Sequence, residues 1–528
     1  VSQPTPSTKT EQGGIAQAAG IIALGNVASR VLGLIREQII AYFFGASGLV
    51  SAFGIASLVP KTIYELLIGG MLSAAMVPVF SEILEKEGRP ALWSLFSRVA
   101  SLAAVLLAVI VLLLELLAPQ VAWLLGGGFD PELQAALAKM LRIITPAVLF
   151  LGLAGVVTGL LYTLKRFSYP AFGAAVFNLG VIITIPLLAG RLDAYSLAAG
   201  VLVGSLLQLL VQLRDLRGVR FRFRLDLANP ALRRILVLYL PIALGLLISD
   251  VQIGIDRRLA SGTGESSIAW MDRATTLIQM PHGLVAVAIS LAVLPTLSRL
   301  IAQGDREGYR QTLGMGLRMV LVLIVPATVG LFVLAEPVIA LIFQHGRFTA
   351  YDTYWTSMAL RYYLLGLTFA AIDWPLNYAF YARQDTLTPA LVGVFSVGVY
   401  LAVALPLVGP MGMLGLVLAD SIKHLSHAMT MLFLTWRRTG SLADLRLGQT
   451  AAKSLLASGI MAGLMVMVLN GTHRWLDGDG LLNQVIVVGL VGGTGLLVYW
   501  AAILVLGVDE IRLLWAQIRR RLHRTNLD

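Results

Sequence analysis

The stretch "LAPQVAWLLGGGFD" occupies residues 117–130, and "LAEPVIALIFQHGRF" occupies residues 334–348. The two align with an offset of 217 residues, from Leu117 to Leu334. "MVPVFSEILEKEG" at 76–88 pairs with "VLPTLSRLIAQGD" at 293–305, again 217 residues apart from Pro78 to Pro295. "YTLKRFSYPA" at 162–171 pairs with "YARQDTLTPA" at 381–390, with Pro170 and Pro389 separated by 219 residues. A near-constant offset at three places is the mark of a duplicated chain. Whatever one copy folds into, the other repeats.

What each copy folds into follows from composition. The chain has 528 residues, 57% hydrophobic and only 13% charged. Its mean hydropathy is +0.82. Soluble proteins carry about 25% charged residues, so this is a polytopic membrane protein. Spanning segments must satisfy their own backbone, as helices or closed barrels. The apolar runs here are long and continuous rather than alternating ten-residue segments, so they are helices. A spanning helix needs about 20 mostly apolar residues. Fourteen candidate spans lie near 15–45, 49–82, 94–125, 133–162, 170–190, 195–213, 232–260, 266–298, 309–335, 352–382, 387–408, 411–436, 449–470 and 481–507.

Lys and Arg then alternate by loop. The loops after even-numbered spans, with the C-terminal tail, hold 24 of them, seven between Arg214 and Arg234 alone. The opposite loops hold Arg191, Arg347 and Arg474. The positive-inside bias places both termini in the cytoplasm. It also accounts for the net charge of +11 without nucleic acid. Six spans separate the copies, so the copies share orientation, which is the parallel-repeat arrangement of some transporters. The expected fold is all-α: two pseudo-symmetric six-helix lobes plus two C-terminal helices. Its parts are a disordered tail at 1–13, an N-lobe at 14–220, a C-lobe at 221–440, two added spans at 441–507 and a basic amphipathic tail at 508–528. A substrate site between facing lobes follows from alternating access.

Charges inside the spans mark that site. A charge at the bilayer centre costs at least ~2.5–3.5 kcal/mol on insertion scales. Span 1, "SRVLGLIREQIIAYFFG" at 29–45, nonetheless carries Arg30, Arg36 and Glu37. The two arginines are six residues apart, about 120° around a helix, so both can border one broad cavity. Their planar forks suit a phosphate or carboxylate. The plainer reading is an internal ion pair locking span 1 to a neighbour, or snorkelling. Span 7 carries Asp250, Asp256, Arg257 and Arg258; span 8 carries Asp272 and Arg273; span 10 carries Asp373; span 12 carries Asp420, Lys423, His424 and His427. His424 and His427 lack a third ligand pattern, which favours polar packing over metal. Absence of cysteine excludes disulfides and thiol chemistry. No nucleotide-binding, zinc-protease or serine-hydrolase motif is present, so the chain reads as a transporter without catalytic residues, metal or cofactor. Its driving force is then an ion gradient, the membrane potential or substrate flux.

Several segments together resemble the MurJ/MviN lipid II flippases of the MOP exporter superfamily. They are "SRVLGLIREQIIAYFFGAS" at 29–47, "GGMLSAAMVPVFSE" at 69–82, "RFSYPAFGAAVFNLGVI" at 166–182, "LPTLSR" at 294–299, "FQHGRFTAYDT" at 343–353 and "ARQDTLTPA" at 382–390. The resemblance implies movement of an undecaprenyl-diphosphate-linked disaccharide-pentapeptide from inner to outer leaflet, in the bacterial inner membrane. It implies a monomer whose partners are that lipid-linked diphosphate and the surrounding lipids. It also implies that Arg30 and Arg36 hold the diphosphate, and that spans 13 and 14 form a groove for the lipid tail. The chain departs from the family at Ser51, where an Asp is usual. It departs again at "VPKTIYE", where Tyr64 and Glu65 replace two arginines, and at Thr275 and Thr276, which replace Asp-Arg. Lys61 and Arg273 are the candidate substitutes for those charges. Asp256 matches the acidic residue of the family's proposed sodium site, but Tyr400 and Ala404 stand at its polar positions in span 11. Asp420 is a candidate replacement carboxylate for ion coupling, or a partner for Lys423. The alternatives are a flippase for another polyprenyl-diphosphate glycan, and a non-transporting membrane scaffold.

Overall fold

The structure, a computed structural model, describes the backbone of residues 6–67, 71–226, 228–440, 443–475 and 480–508. Side chains are described for the same residues apart from 6–19, 63–64, 66–67, 71–75, 238, 240–250, 443 and 473–475. The described residues are helical and contain no strand. The expected basic tail at 508–528 lies outside the described residues except for Val508, as does the side chain of Asp250.

The chain divides into two units, residues 1–269 and 270–528. Unit 1 holds α1 (Pro6–Phe44), α2 (Gly48–Ala56), α3 (Leu58–Leu67), α4 (Met71–Leu116), α5 (Ala118–Gly126), α6 (Pro131–Ile144), α7 (Pro146–Thr163), α8 (Ser168–Leu192), α9 (Tyr195–Leu213) and α10 (Pro230–Ala260). Next comes α11 (Ser267–Pro281), whose first turn closes unit 1. Unit 2 continues through a π-helical turn (His282–Val287), α12 (Ala288–Ala302), α13 (Arg306–Val333), α14 (Ala335–Phe343), α15 (Ala350–Ala382), α16 (Leu387–Met411), α17 (Met413–Thr439), α18 (Leu447–Trp475) and α19 (Leu481–Val505).

Two features bear on how the chain is divided. α1 begins at Pro6. Pro6 suits a first helical position, and extending an existing helix costs far less than nucleating one. α10 packs on α4 and α5 and so falls in unit 1. Leu232 and Ile235 of α10 join Met76, Phe80, Leu92, Phe96 and Leu160 in one apolar core. At the far end, Gly128 lies so close to the α10 terminus that a Cβ there would sit 2.3 Å from the Gly262 nitrogen. The "GGG" turn is therefore a backbone packing surface.

The duplication is visible within each unit. The nine-residue α5 and α14 both follow a break at a leucine, Leu117 (φ −95, ψ 8) and Leu334 (φ −87, ψ 10). α7 ends with Lys165 at φ 57, and α15 ends with Gln384 at φ 60. Arg166 N–H then bonds back to Leu161 and Lys165 N–H to Tyr162, as Asp385 does to Phe380 and Gln384 to Tyr381. Both are left-handed helix stops of the Schellman kind. α8 and α16 likewise end in the same unusual geometry, at Asp193 (φ 46, ψ −136) and Gly412 (φ 57, ψ −137).

Among the described residues, nine helical stretches are long and apolar enough to cross a membrane. The expected spans outside that set are α1, α2–α3, α10, α15 and α17; the α2–α3 stretch from Gly48 to Thr62 is apolar but short. α18 and α19 pack together and onto α13, where Met461, Met465, Val491 and Tyr499 form a separate apolar cluster with Val322 and Leu334.

Candidate functional site

In unit 1 the charges of span 1 are organised by α8. Gly25 permits the close approach of the two helices: a Cβ there would lie 2.1 Å from the Ala171 carbonyl oxygen. One helical turn beyond Ala175, Asn178 is 6% exposed. Its Nδ2 donates to the Ser29 carbonyl at 3.1 Å, and its Oδ1 accepts from Arg36 Nη1 at 3.0 Å. Arg36 also donates to Glu37 Oε1 through Nη2 at 2.7 Å and Nε at 3.2 Å. The Arg36 side chain keeps 30% of its surface open, and Glu37 keeps 12%. A guanidinium has five N–H donors, and these contacts fix its plane while leaving donors over. Arg30 is exposed and makes no hydrogen bond or ion pair with another described residue. The pairing expected under the plainer reading is thus present, and it coexists with an oriented, partly open cation. Sequence reasoning missed Asn178. It stood in the open within "AVFNLGVI", as an amide in an apolar span.

The other unit 1 candidates differ in kind. Lys61 is 54% exposed and sits 3.9 Å from Glu65 on the next turn, a weak surface pair. Ser51, at the position where the resemblance expects Asp, is buried and accepts the Ala269 N–H at 3.2 Å. Asp256 is half-buried in the last turns of α10, beside Arg257. Arg258 lies over the Trp123 ring at 5.7 Å.

In unit 2, Arg273 is 3% exposed, with its guanidinium carbon 5.9 Å from the Phe343 ring centre. Thr275 and Thr276 both donate their hydroxyls to the Asp272 carbonyl, at 3.0 and 2.9 Å. They close on their own helix and supply no charge. Asp420 pairs with Lys423 at 2.5 Å, one turn along α17. His427 Nδ1 lies 3.0 Å from Asp373 on α15, and His424 lies between Asp373 (3.9 Å) and Asp420 (3.7 Å). His282, in the π-helical turn, is 3.4 Å from the Ala370 carbonyl and edge-on to Trp374. No group of three ligating side chains suited to a metal ion occurs among the described residues. The two histidines make the polar contacts expected of them, and Tyr400 and Ala404 are fully buried.

Unit 2 also holds an apolar cavity of about 600 Å³. It lies among α13, α15, α17 and α18, lined by residues such as Leu321, Val325, Leu364, Phe369, Met429 and Leu455.

Each unit has a clasp at its arginine-rich end. In unit 1, Arg166 after α7 bonds the Asp215 carbonyl and lies 3.5 Å from its carboxylate. In unit 2 the charges are reversed: Asp385 after α15 pairs with Arg438 at the end of α17. Asp385 also caps α16, accepting from the Thr388 N–H at 3.0 Å and hydroxyl at 2.7 Å. The Arg438 guanidinium, with help from Thr388, pulls the Asp385 carboxyl down to about 2.

The family profile described as "Lipid II flippase MurJ" matches residues 40–486. The chain belongs to the MurJ lipid II flippase family. A Burkholderia cenocepacia relative described as "Lipid II flippase MurJ" is 32% identical over 376 residues, covering 69% of this chain and 73% of the relative. A "Probable lipid II flippase MurJ" of Haemophilus influenzae is 28% identical over 511 residues, covering 92% and 99%. A solved MurJ structure in an inward closed conformation superposes with TM-score 0.77 at 26% identity, covering 91% of this chain and 97% of that one. An inward-facing MATE transporter of the MOP superfamily shares the fold, with TM-score 0.66 at 15% identity over 79% of this chain and 96% of that one. Together with the apolar helices, the MurJ match makes this a multi-pass membrane protein.

Proposed function

We propose that this protein flips lipid II, moving the undecaprenyl-diphosphate-linked precursor from the inner to the outer leaflet of the bacterial inner membrane. It acts as a transporter, not as an enzyme. The observation that carries this reading is the MurJ match over residues 40–486. The oriented, partly open Arg36 on α1 gives that match its chemistry. A diphosphate offers Arg36 bidentate acceptors that the carboxamide of Asn178 does not. Arg30 adds a second cation on the same helix. Lys61 and Arg273 remain candidate contacts to the headgroup. The 600 Å³ apolar cavity among α13, α15, α17 and α18 suits a stretch of the prenyl chain.

We place fourteen spans in the bilayer, with both termini cytoplasmic, on the strength of the Lys and Arg distribution. The Asp420–Lys423 pair supports a structural role for that carboxylate, which leaves Asp256 as the candidate for ion coupling. Membrane potential acting on the bound charge is the simpler driving force. The protein works as a monomer.

A second reading, a flippase for a different polyprenyl-diphosphate glycan, is favoured by Ser51, Thr275 and Thr276, which hold no charge and bond the Ala269 N–H and the Asp272 carbonyl. The deciding experiment is complementation of a strain depleted of its lipid II flippase. Growth with restored lipid II exposure on the outer leaflet supports the first reading. Failure of a stably inserted protein to restore it, with transport of another polyprenyl-diphosphate glycan in vesicles, supports the second.

A further inference from the structure

The chain between α9 and α10 reads "VRFRFRL" at 219–225. It runs along the flank of α4 in an extended course. The Ser97 hydroxyl donates to the Arg220 carbonyl at 3.5 Å and accepts the Arg222 N–H at 3.1 Å. The Ser101 hydroxyl accepts the Arg224 N–H at 3.0 Å. Four helical residues rise about 6 Å, and two extended residues span about 6.6 Å. The two serines thus form rungs that match alternate residues of the strap. Arg98 locks its end through Asp226 at 3.0 Å, and Leu216 and Val219 anchor its start in the core.

Side chains of an extended chain alternate between faces. Here one face carries Phe221, Phe223 and Leu225, exposed by 53%, 61% and 55%. The other carries Arg220, Arg222 and Arg224, also exposed. With Arg214 and Arg217, that makes five arginines whose guanidiniums bond no other described residue. The nearby acids are already engaged, Asp215 by Arg166 and Asp226 by Arg98. The strap lies beside Ser97–Ser101, at the start of the stretch from Val99 to Leu114 that carries no charged residue. A loop held in water would not present three large apolar side chains within five residues. A loop buried in acyl chains would not present three unpaired cations.

We propose that residues 219–225 form a lipid-binding strap, with Phe221, Phe223 and Leu225 entering the acyl boundary and Arg220, Arg222 and Arg224 holding the phosphates of anionic phospholipids. The occupant is the membrane itself, because only a bilayer interface offers apolar and anionic partners at the two faces of one strand. The strap is independent of which lipid-linked substrate the protein moves.

The chain has no cysteine, so single labels can be placed in the natural background. A nitroxide is attached to Phe223→Cys, and separately to Leu225→Cys, in the full-length protein. Each is reconstituted into phosphatidylcholine vesicles, with and without phosphatidylglycerol at about one lipid in three. Accessibility to oxygen and to an aqueous nickel chelate reports depth. A label at Gln303→Cys, exposed in unit 2, checks integrity. With phosphatidylglycerol, the strap labels should move into the oxygen-rich zone. Combining them with Arg220→Gln, Arg222→Gln and Arg224→Gln should lower the ratio of buried to aqueous label on the order of a hundredfold. High salt should weaken the parent's response, as the Debye length shrinks to ~3 Å at 1 M. Equal accessibility in both vesicle types, or no effect of the three substitutions, overturns the proposal. So does an equal shift on adding a soluble polyanion to neutral vesicles, which would assign the strap to a soluble partner.

Discussion

Replacing Arg36 separates its two roles. Arg36→Ala removes one bond to Asn178 and two to Glu37, at 3.0, 2.7 and 3.2 Å. Glu37, with 12% of its side chain exposed, then loses both of those bonds. A stranded polar group costs ~1–3 kcal/mol, and the partial exposure of Arg36 keeps the value toward the lower end. The double variant Arg36→Ala/Glu37→Gln removes the Glu37 charge together with its Arg36 partner and should recover part of that loss. Substrate binding behaves differently. Each charge-assisted contact to a diphosphate contributes ~1.5–3 kcal/mol, so both variants should bind lipid II roughly tenfold to a hundredfold more weakly. Thermal unfolding in detergent reads the first effect, and lipid II titration with complementation reads the second. Arg36→Lys should hold stability better than Arg36→Ala but restore binding only in part, because an ammonium cannot make the bidentate contact. If the double variant binds and flips lipid II at the parent's level, Arg36 is no part of the substrate site.

Four further outcomes are expected. Gly25→Val should separate α1 from α8, since even a Cβ meets the Ala171 carbonyl at 2.1 Å; a cost of ~1–3 kcal/mol or more should appear as a lowered unfolding midpoint and loss of transport. Asp385→Asn should lower stability at neutral pH. Its carboxyl is held at about 2, below the ordinary 3.8, so the parent's advantage is complete above about 4 and fades as pH falls through about 2; midpoints measured across that window should converge. Arg166→Asp should weaken the unit 1 clasp by no more than ~1 kcal/mol, because Arg166 is 42% exposed, and adding Asp215→Arg should restore it, which a two-variant unfolding comparison checks. Arg273→Met keeps an apolar side chain beside Phe343; if this variant, inserted at the parent's level, flips lipid II normally in vesicles, Arg273 is no substitute for the family's charge.

Much of the fold was legible because the duplicated segments carry backbone information, not only hydropathy. The shared Leu-Ala at 117–118 and 334–335 marks a helix break in both copies. The shared Tyr and Pro-Ala flanking 165 and 384 bracket the same left-handed stop. Local sequence does not report what a helix packs against. Nothing in residues 230–260 shows that α10 belongs with α4 and α5, because its apolar positions would serve any neighbour. Nor does "TKTEQGG" show that a helix formed further along will propagate back through it. The site was legible in its charges and not in its partners. Arg36 and Glu37 stand out in an apolar run, while Asn178 lies 142 residues from Arg36 and is only one amide among several.

The departures from the family make sense as local closures. At Ser51, Thr275 and Thr276 the replacing residue completes a hydrogen bond within the protein. Ser51 takes the Ala269 N–H, and Thr275 and Thr276 return to the Asp272 carbonyl. A hydroxyl bonded back to its own helix has spent its donor and offers a substrate little. The same holds for Asp420, neutralised by Lys423 within a turn. Arg30 and Arg36 are different: one has no described partner, and the other is held by its neighbours with surface to spare. A cation that remains open in an apolar span is costly unless something anionic meets it. In unit 1 that requirement falls on α1, which is why a cationic headgroup site anchored by Arg36, rather than by the residues that replaced the family's other charges, is the arrangement this sequence supports.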